Sequence, residues 1–186
     1  MAKKETVLPN LDELNKQYEE ELAKYKEELK NVMTEKLAAE EERWLKELEE
    51  YDKYIKDRKY KLPAKVTFDG TEYTKQRVAT MIKTFLGEKL ELEWKYAQGM
   101  YDMCHWWAAP KAEISYAYLD STLRILDQLK YKGIREWENI LIINDYFKQS
   151  TAEYQHDVAK LIHLSQMHNA VMDEQQLRNP MTNNEQ

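Results

Sequence analysis

Residues 10–62 read NLDELNKQYEEELAKYKEELKNVMTEKLAAEEERWLKELEEYDKYIKDRKYKL, and they contain no glycine and no proline. Glu, Lys, Leu and Ala, which favour helices, fill most of these positions. Asn10 is placed to cap a first helical turn, with Glu13 three residues later as in a capping box. The sequence therefore predicts one long N-terminal helix of about 50 residues, which would be about 75 Å long at 1.5 Å per residue.

Apolar residues recur along this predicted helix at every eleventh position. The main row consists of Leu11, Leu22, Met33, Trp44 and Ile55. Eleven residues span three turns at about 3.67 residues per turn, so the row runs nearly parallel to the helix axis. Half of residues 1–62 are charged, and a small domain cannot cover a helix of this length. We therefore expect the row to pack against another helix or another copy, as a possible coiled coil.

Two other arrangements of this segment are also compatible with the pattern. In the first, the helix is broken near Asn31–Thr34 into a helical hairpin, and Thr34 caps the second helix. In the second, a lone helix is stabilised by its own charges, through (i, i+4) pairs that contribute only about 0.2–0.5 kcal/mol each.

A β-hairpin is predicted next, because residues 65–73 alternate and are rich in β-branched and aromatic side chains. Its strands would be Lys65–Phe68 and Thr71–Tyr73. Asp69-Gly70 between them favours a type I′ turn, which requires a positive φ at both central residues. Two strands alone are only marginally stable, so the hairpin should lean on helices or add its edge to a strand of a neighbouring subunit.

Residues 75–177 predict four or five amphipathic helices joined by short connections, which together form a C-terminal helical bundle. The predicted helices are Lys75 to about Leu86 (or longer, through Gly87), 88–108, Lys111–Lys130, Ile134–Lys148 and about Thr151–Leu177. The apolar face of the last helix is predicted to hold Tyr154, Val158, Leu161, Ile162, Ser165 and Met172. The fold class is thus all-α with one small hairpin, divided into an arm (1–62), a connector (63–74), a bundle (75–177) and a disordered tail (178–186).

Bulk composition excludes several classes of protein. The chain has 186 residues, a net charge of −6 and a single cysteine, Cys104, so an intrachain disulfide cannot form. The N-terminus lacks the apolar segment of a secretory signal, and no run approaches the ~18 apolar residues of a membrane span. The acidic balance disfavours a general nucleic-acid binder. We therefore expect a cytoplasmic or otherwise intracellular protein without membrane or nucleic-acid partners.

Two carboxylate-x-x-His motifs carry the sharpest chemical hypothesis. They are Asp102 with His105, and Glu153 with His156. Residues three apart share a helix face, so both side chains of such a motif can reach one ion. Four-helix di-metal carboxylate proteins use Glu-x-x-His on two helices and a single Glu on each of two others. This ligand set suits iron or manganese. However, His156 lies opposite the predicted apolar face, and no other helix places a lone Glu in its apolar stripe. A di-metal oxidase or metal-binding protein is therefore the alternative. The main expectation is a protein that has neither a cofactor nor a metal.

Two adjacent tryptophans, Trp106 and Trp107, indicate a second contact surface on a helix that already has a core face. The alternative is that Trp106 is covered within the chain, by the N-terminal helix or by the hairpin. Together with the eleven-residue row, the two tryptophans favour a non-enzymatic structural or assembly protein. Such a protein oligomerises or docks into a larger multi-copy complex, such as a phage or viral particle. Its partners would be further copies of itself or other proteins of the assembly. A second alternative is a protein-binding regulator that uses the long helix as a helix-in-groove ligand.

Overall fold

A computed structural model describes residues 8–89, 113–127 and 134–179. These residues form six α-helices and four short strands, so the prediction of a mainly helical chain with a small hairpin is confirmed. In chain order the elements are α1 (Leu11–Leu29), α2 (Thr34–Asp57), β1 (Lys59–Lys61), β2 (Lys65–Phe68), β3 (Thr71–Thr74), α3 (Lys75–Lys89), β4 (Glu113–Ser115), α4 (Tyr116–Asp127), α5 (Ile134–Ser150) and α6 (Ala152–Arg178).

The prediction of one continuous N-terminal helix is wrong, because residues 30–33 interrupt it. The N–H of Asn31 donates to the carbonyl of Glu28 at 3.0 Å, and that of Val32 donates to the carbonyl of Leu29 at 3.1 Å. These i→i−3 hydrogen bonds tighten the last turn of α1 and end it. The break falls where the hairpin alternative places it, and α2 begins at Thr34. The helix-in-groove regulator acting through this segment stays a prediction.

The chain divides into two compact units. The first, the three-helix unit, contains residues up to Ile55 together with residues from Tyr154 onward, and the second, the inserted unit, is Lys56–Glu153. The predicted bundle of four to five helices over 75–177 includes the last helix, whereas the contacts group α6 with α1 and α2. The observed division therefore differs from the predicted arm, connector and bundle.

The core of the three-helix unit lies where α1, α2 and α6 meet. It consists of buried Leu29, Leu37, Ala170 and Val171, with Leu22, Tyr25, Val32 and Trp44 packed around them. Folding the N-terminal segment back on itself brings apolar residues of α1 and α2 into one core, and α6 supplies the third side. Much of the eleven-residue row is thus covered within the chain, which removes the original reason for expecting another copy to cover it.

In the inserted unit, β2 and β3 form the predicted antiparallel hairpin, in which Lys65 pairs with Thr74 and Phe68 with Thr71. The φ angles of Asp69 (45°) and Gly70 (72°) are both positive, as a type I′ turn requires. The hairpin leans on helices of its own unit, because α5 contacts β2 and α3 contacts both β3 and α5.

A second two-stranded sheet was not predicted. Strand β1 pairs antiparallel with β4, and buried Tyr60 lies opposite buried Ile114. The N–H of Tyr116 also donates to the carbonyl of Arg58 at 3.3 Å. The predictions of helix up to Leu62 and of helix from Lys111 are therefore wrong at these ends, because both strands are too short to establish a period of two in the sequence.

The helix ends follow the predicted caps at two places. The side chain of Asn10 accepts from the N–H of Asp12 at 3.0 Å, and Thr74 Oγ1 accepts from the N–H of Arg77 at 3.3 Å. Helix α3 continues through Gly87, and α6 includes Arg178, the first residue of the predicted disordered tail. The remainder of that tail from residue 180 and most of the predicted helix 88–108 lie outside the described residues.

Candidate functional site in the three-helix unit

The buried face of α6 is not the predicted one. Its buried residues are Tyr154, Asp157, His163, Leu164, Met167, Ala170 and Val171. Of the predicted face, Tyr154 is buried, Val158, Leu161, Ser165 and Met172 are half-buried, and Ile162 is 52% exposed. The buried face is rotated relative to the predicted one because it contains Asp157 and His163, which an assignment by hydropathy places toward solvent.

Asp157 lies at the contact between α6 and α2. The Tyr51 hydroxyl donates to Asp157 Oδ1 at 3.0 Å, and Lys160 Nζ lies 4.5 Å from the centre of the Tyr51 ring. Burial raises the pKa of Tyr51 above its ordinary value, and the hydrogen bond to the carboxylate acts in the same direction. Tyr51 therefore remains a neutral donor at physiological pH, and it partly offsets the free-energy cost of burying a carboxylate.

His163 lies at the contact between α6 and α1. Its Nε2 is 3.3 Å from Glu21 Oε2, and its ring stacks on Tyr18 with a centroid distance of 4.2 Å and an interplanar angle of 8°. Because a carboxylate only accepts hydrogen bonds, Nε2 carries the proton in the neutral imidazole. The Nδ1 atom is buried and has no hydrogen-bond partner among the described residues. Burial lowers the pKa of His163, and the nearby Glu21 carboxylate partly opposes this shift.

A third polar contact joins α1 to α2. The indole N–H of Trp44 donates to the Tyr25 hydroxyl at 2.8 Å, and this hydroxyl donates to Glu40 Oε2 at 3.0 Å. The Arg43 guanidinium lies 4.6 Å from the centre of the Trp44 ring. Burial, as the main cause, raises the pKa of Tyr25 to about 12. Trp44 thus has both its polar atom and part of its ring engaged within the chain.

Arg178, at the end of α6, binds the turn between α1 and α2. Its Nη2 donates to the Leu29 carbonyl at 2.7 Å and its Nη1 to the Val32 carbonyl at 2.5 Å, while Nε contacts Glu174 at 2.7 Å. The C-terminus of a helix leaves carbonyls without intrahelical donors and carries partial negative charge. The guanidinium supplies both the hydrogen-bond donors and the positive charge that this helix end lacks, and it connects α6 to the turn.

The middle of α6 is unusual in this chain because it contains no charged residues. No Asp, Glu, Lys or Arg stands anywhere from Leu161 to Met172, whereas more than half of the residues of α1 and α2 are charged. We define the α6 outer face as Val158, Leu161, Ile162, Ser165 and Met172, which the helical period brings to one side. Depletion of charge with retained apolar area is typical of the core of a protein–protein interface.

A cleft of about 220 Å³ lies between the last turns of α1 and α6. Its lining residues are Lys26, Leu29, Lys30, Ala170, Asp173, Glu174 and Leu177. Two of these groups already have ionic partners, since Lys30 contacts Glu27 and Glu174 contacts Arg178. The cleft therefore combines an apolar surface with charges of both signs.

The predicted interface residues have different surroundings. Leu22 and Trp44 pack on the core of the three-helix unit, and Ile55 is fully buried. Met33 is exposed and Leu11 is half-buried. Trp106 and Trp107 lie outside the described residues. The part these residues play in contacts between chains stays a prediction, but Ile55 is not accessible to a second chain in this conformation.

The predicted metal ligands are only partly within the described residues. Glu153 forms an ion pair with Arg58 at 2.7 Å, and His156 is half-buried. Asp102 and His105 lie outside residues 8–89, 113–127 and 134–179. Within those ranges, no group of three or more His, Cys, Asp or Glu side chains is arranged to hold a metal ion.

Among the described residues, no helix combines the length and the apolar composition needed to cross a membrane. Comparison of the chain with protein-family models, curated proteins and solved structures finds no match in any of the three. Among the described residues, the α6 outer face is therefore the strongest indication of function.

Proposed function

We propose that this chain is a non-enzymatic assembly protein that binds a second copy of itself through the α6 outer face. One observation carries the proposal: a helix face that retains Val158, Leu161, Ile162 and Met172 is free of charged residues from Leu161 to Met172. In a chain where a third of all residues are charged, such a segment is a marked departure from the average. Interface cores combine these same two properties.

The charge distribution favours a second copy as the partner. Each chain carries a net charge of −6, and the outer surfaces of α1 and α2 are rich in glutamate, so two copies would repel each other there. The α6 outer face brings no like charges together when it meets its own image. A two-fold contact of this kind is isologous, with the same patch on both subunits, as in most homodimers.

The test compares two substitutions with similar chemistry on different faces. Ile162→Glu places a charge in the middle of the α6 outer face, whereas Leu45→Glu changes an apolar residue of α2 that is also exposed, at 39%. Mass is measured by light scattering over a range of concentrations. We expect the unmodified chain and Leu45→Glu to have a mass above the 22.4 kDa of one chain, and Ile162→Glu to remain at 22.4 kDa.

Two results would overturn the proposal. If the unmodified chain has the mass of one chain at every concentration, it does not self-associate. If Ile162→Glu and Leu45→Glu associate equally, another surface is responsible. Circular dichroism of both variants verifies that their helices are retained, so a change in mass reports on the surface alone.

A further inference from the structure

We propose that the contact of Tyr18 and Glu21 with His163 makes the three-helix unit acid-sensitive, so that protonation of His163 loosens α6 from α1. The inference is independent of self-association, because it concerns the inward face of α6. It depends on a buried histidine, 7% exposed, that holds one helix against another.

The geometry accommodates the neutral imidazole and not the imidazolium. The neutral ring donates from Nε2 to Glu21 and stacks on Tyr18. A second proton would convert Nδ1 into a donor, yet this buried atom has no partner among the described residues. A buried donor without an acceptor is costly, and a buried positive charge is more so.

The charged groups around this contact do not reverse that preference. From α1, Tyr18 and Glu21 face the ring, but the Glu21 side chain is 63% exposed, so water screens its attraction for an imidazolium. From α2, Tyr51 donates to Asp157, which engages that carboxylate. On α6 itself, Lys160 stands one turn before His163 and adds a positive charge of its own.

The direction of the pH effect follows from proton binding in the folded and unfolded chains. Burial lowers the pKa of His163 below the ordinary value of about 6.5 that it regains on unfolding. Well above pH 6.5, His163 is neutral in the folded and in the unfolded chain, so it does not make the free energy of unfolding depend on pH. As the pH falls below 6.5, the unfolded state takes up the proton first, so stability is lost until the pH reaches the pKa in the folded chain.

Hydrogen exchange on the full chain at pH 7.5 and 5.5 tests the proposal, with rates expressed as protection factors. Of the side chains, histidine is the one whose ordinary pKa, about 6.5, lies between these two pH values. The variant is His163→Gln, and the matched control is His156→Gln, a half-buried histidine of the same helix. We expect protection of α1 and α6 to fall several-fold on acidification in the unmodified chain and in His156→Gln, and to stay within about twofold in His163→Gln.

An equal loss of protection in His163→Gln and the unmodified chain would overturn the proposal. Should His163→Gln fail to fold, an NMR titration of the His163 ring in the unmodified chain replaces it. A midpoint below pH 6.5 supports acid sensitivity, and a midpoint at or above 6.5 contradicts it.

Discussion

Arg178 illustrates how a single distant side chain caps the end of a helix that has no glycine after it. Helix α1 is followed by Lys30 and Asn31, and the carbonyls of its last residue, Leu29, and of Val32 in the turn accept hydrogen bonds from a residue that is distant in sequence. The sequence offers no local signal for this cap, because the donor and the acceptors are separated by most of the chain. Only the folded three-helix unit brings them together.

We predict that Arg178→Ala lowers the free energy of unfolding by about 1–3 kcal/mol, because the carbonyls of Leu29 and Val32 lose a charged donor in a partly buried site. Urea denaturation followed by circular dichroism measures the change. The control is Lys16→Ala, which removes an exposed (i, i+4) pair with Glu20 and should change stability by less than about 0.5 kcal/mol. Equal effects of the two substitutions would contradict the assigned role of Arg178.

His163 and Asp157 explain why hydropathy predicts the wrong buried face for α6. A helical wheel built from hydropathy treats both as solvent-facing, although each is buried with a specific partner: Glu21 for His163 and Tyr51 for Asp157. Their partners lie on α1 and α2, so the pairing depends on tertiary structure. Patterning located the helix to within a residue or two at each end but could not identify which of its two faces is covered.

At the scale of elements, the sequence is sufficient to predict a structure wherever that structure depends on neighbouring residues. The hairpin β2–β3 and the caps at Asn10 and Thr74 were predictable, because each is fixed within a few residues. The pairing of β1 with β4 was not, because it joins residues about fifty positions apart. The break between α1 and α2 was one of three open arrangements, since helix propensity alone permits continuation.

The turn of the β2–β3 hairpin allows a separate prediction. Gly70→Ala should lower the free energy of unfolding of the inserted unit by about 1 kcal/mol, because its φ of 72° disfavours residues with a Cβ. Among the described residues, no heavy atom lies within 4 Å of the added Cβ, so the cost is conformational and not steric. Thermal denaturation measures it. Asp69→Asn is the control, since asparagine tolerates a positive φ and should leave stability nearly unchanged; a loss as large as that of Gly70→Ala would argue against this account.

At the scale of the whole molecule, the expectation of self-association persists but its physical basis has changed. The sequence indicated an apolar row too long for its own chain to cover. The chain covers much of it by breaking the helix and adding α6, a helix more than a hundred residues away. Such closure by a distant element cannot be deduced from periodicity. The proposed contact with another copy uses instead the α6 outer face, in the segment from Leu161 to Met172 that has apolar residues and no charged ones.

The three-helix unit is discontinuous in sequence, because the inserted unit lies between its two segments. Removing the inserted unit tests whether the three-helix unit folds by itself. Tyr51 and Asp157 are hydrogen-bonded and lie about one helical turn from Ile55 and Tyr154, so the two ends of the unit are close together. Insertion of one folding unit into another is tolerated where the ends of the host are near each other. The inserted unit should therefore be removable.

We predict that residues 8–55 joined to residues 154–179 through a Gly/Ser linker of about 8 residues form a helical protein that unfolds cooperatively. Such a linker has a root-mean-square span of about 16 Å, enough for neighbouring helix ends. Circular dichroism with thermal melting is the measurement. The control carries Leu37→Ala in the same short protein, where deletion of a buried leucine side chain should cost about 2–5 kcal/mol and abolish or sharply lower the transition. A short protein that melts without a cooperative transition, or that is indifferent to Leu37→Ala, would mean that α1, α2 and α6 need the inserted unit in order to fold.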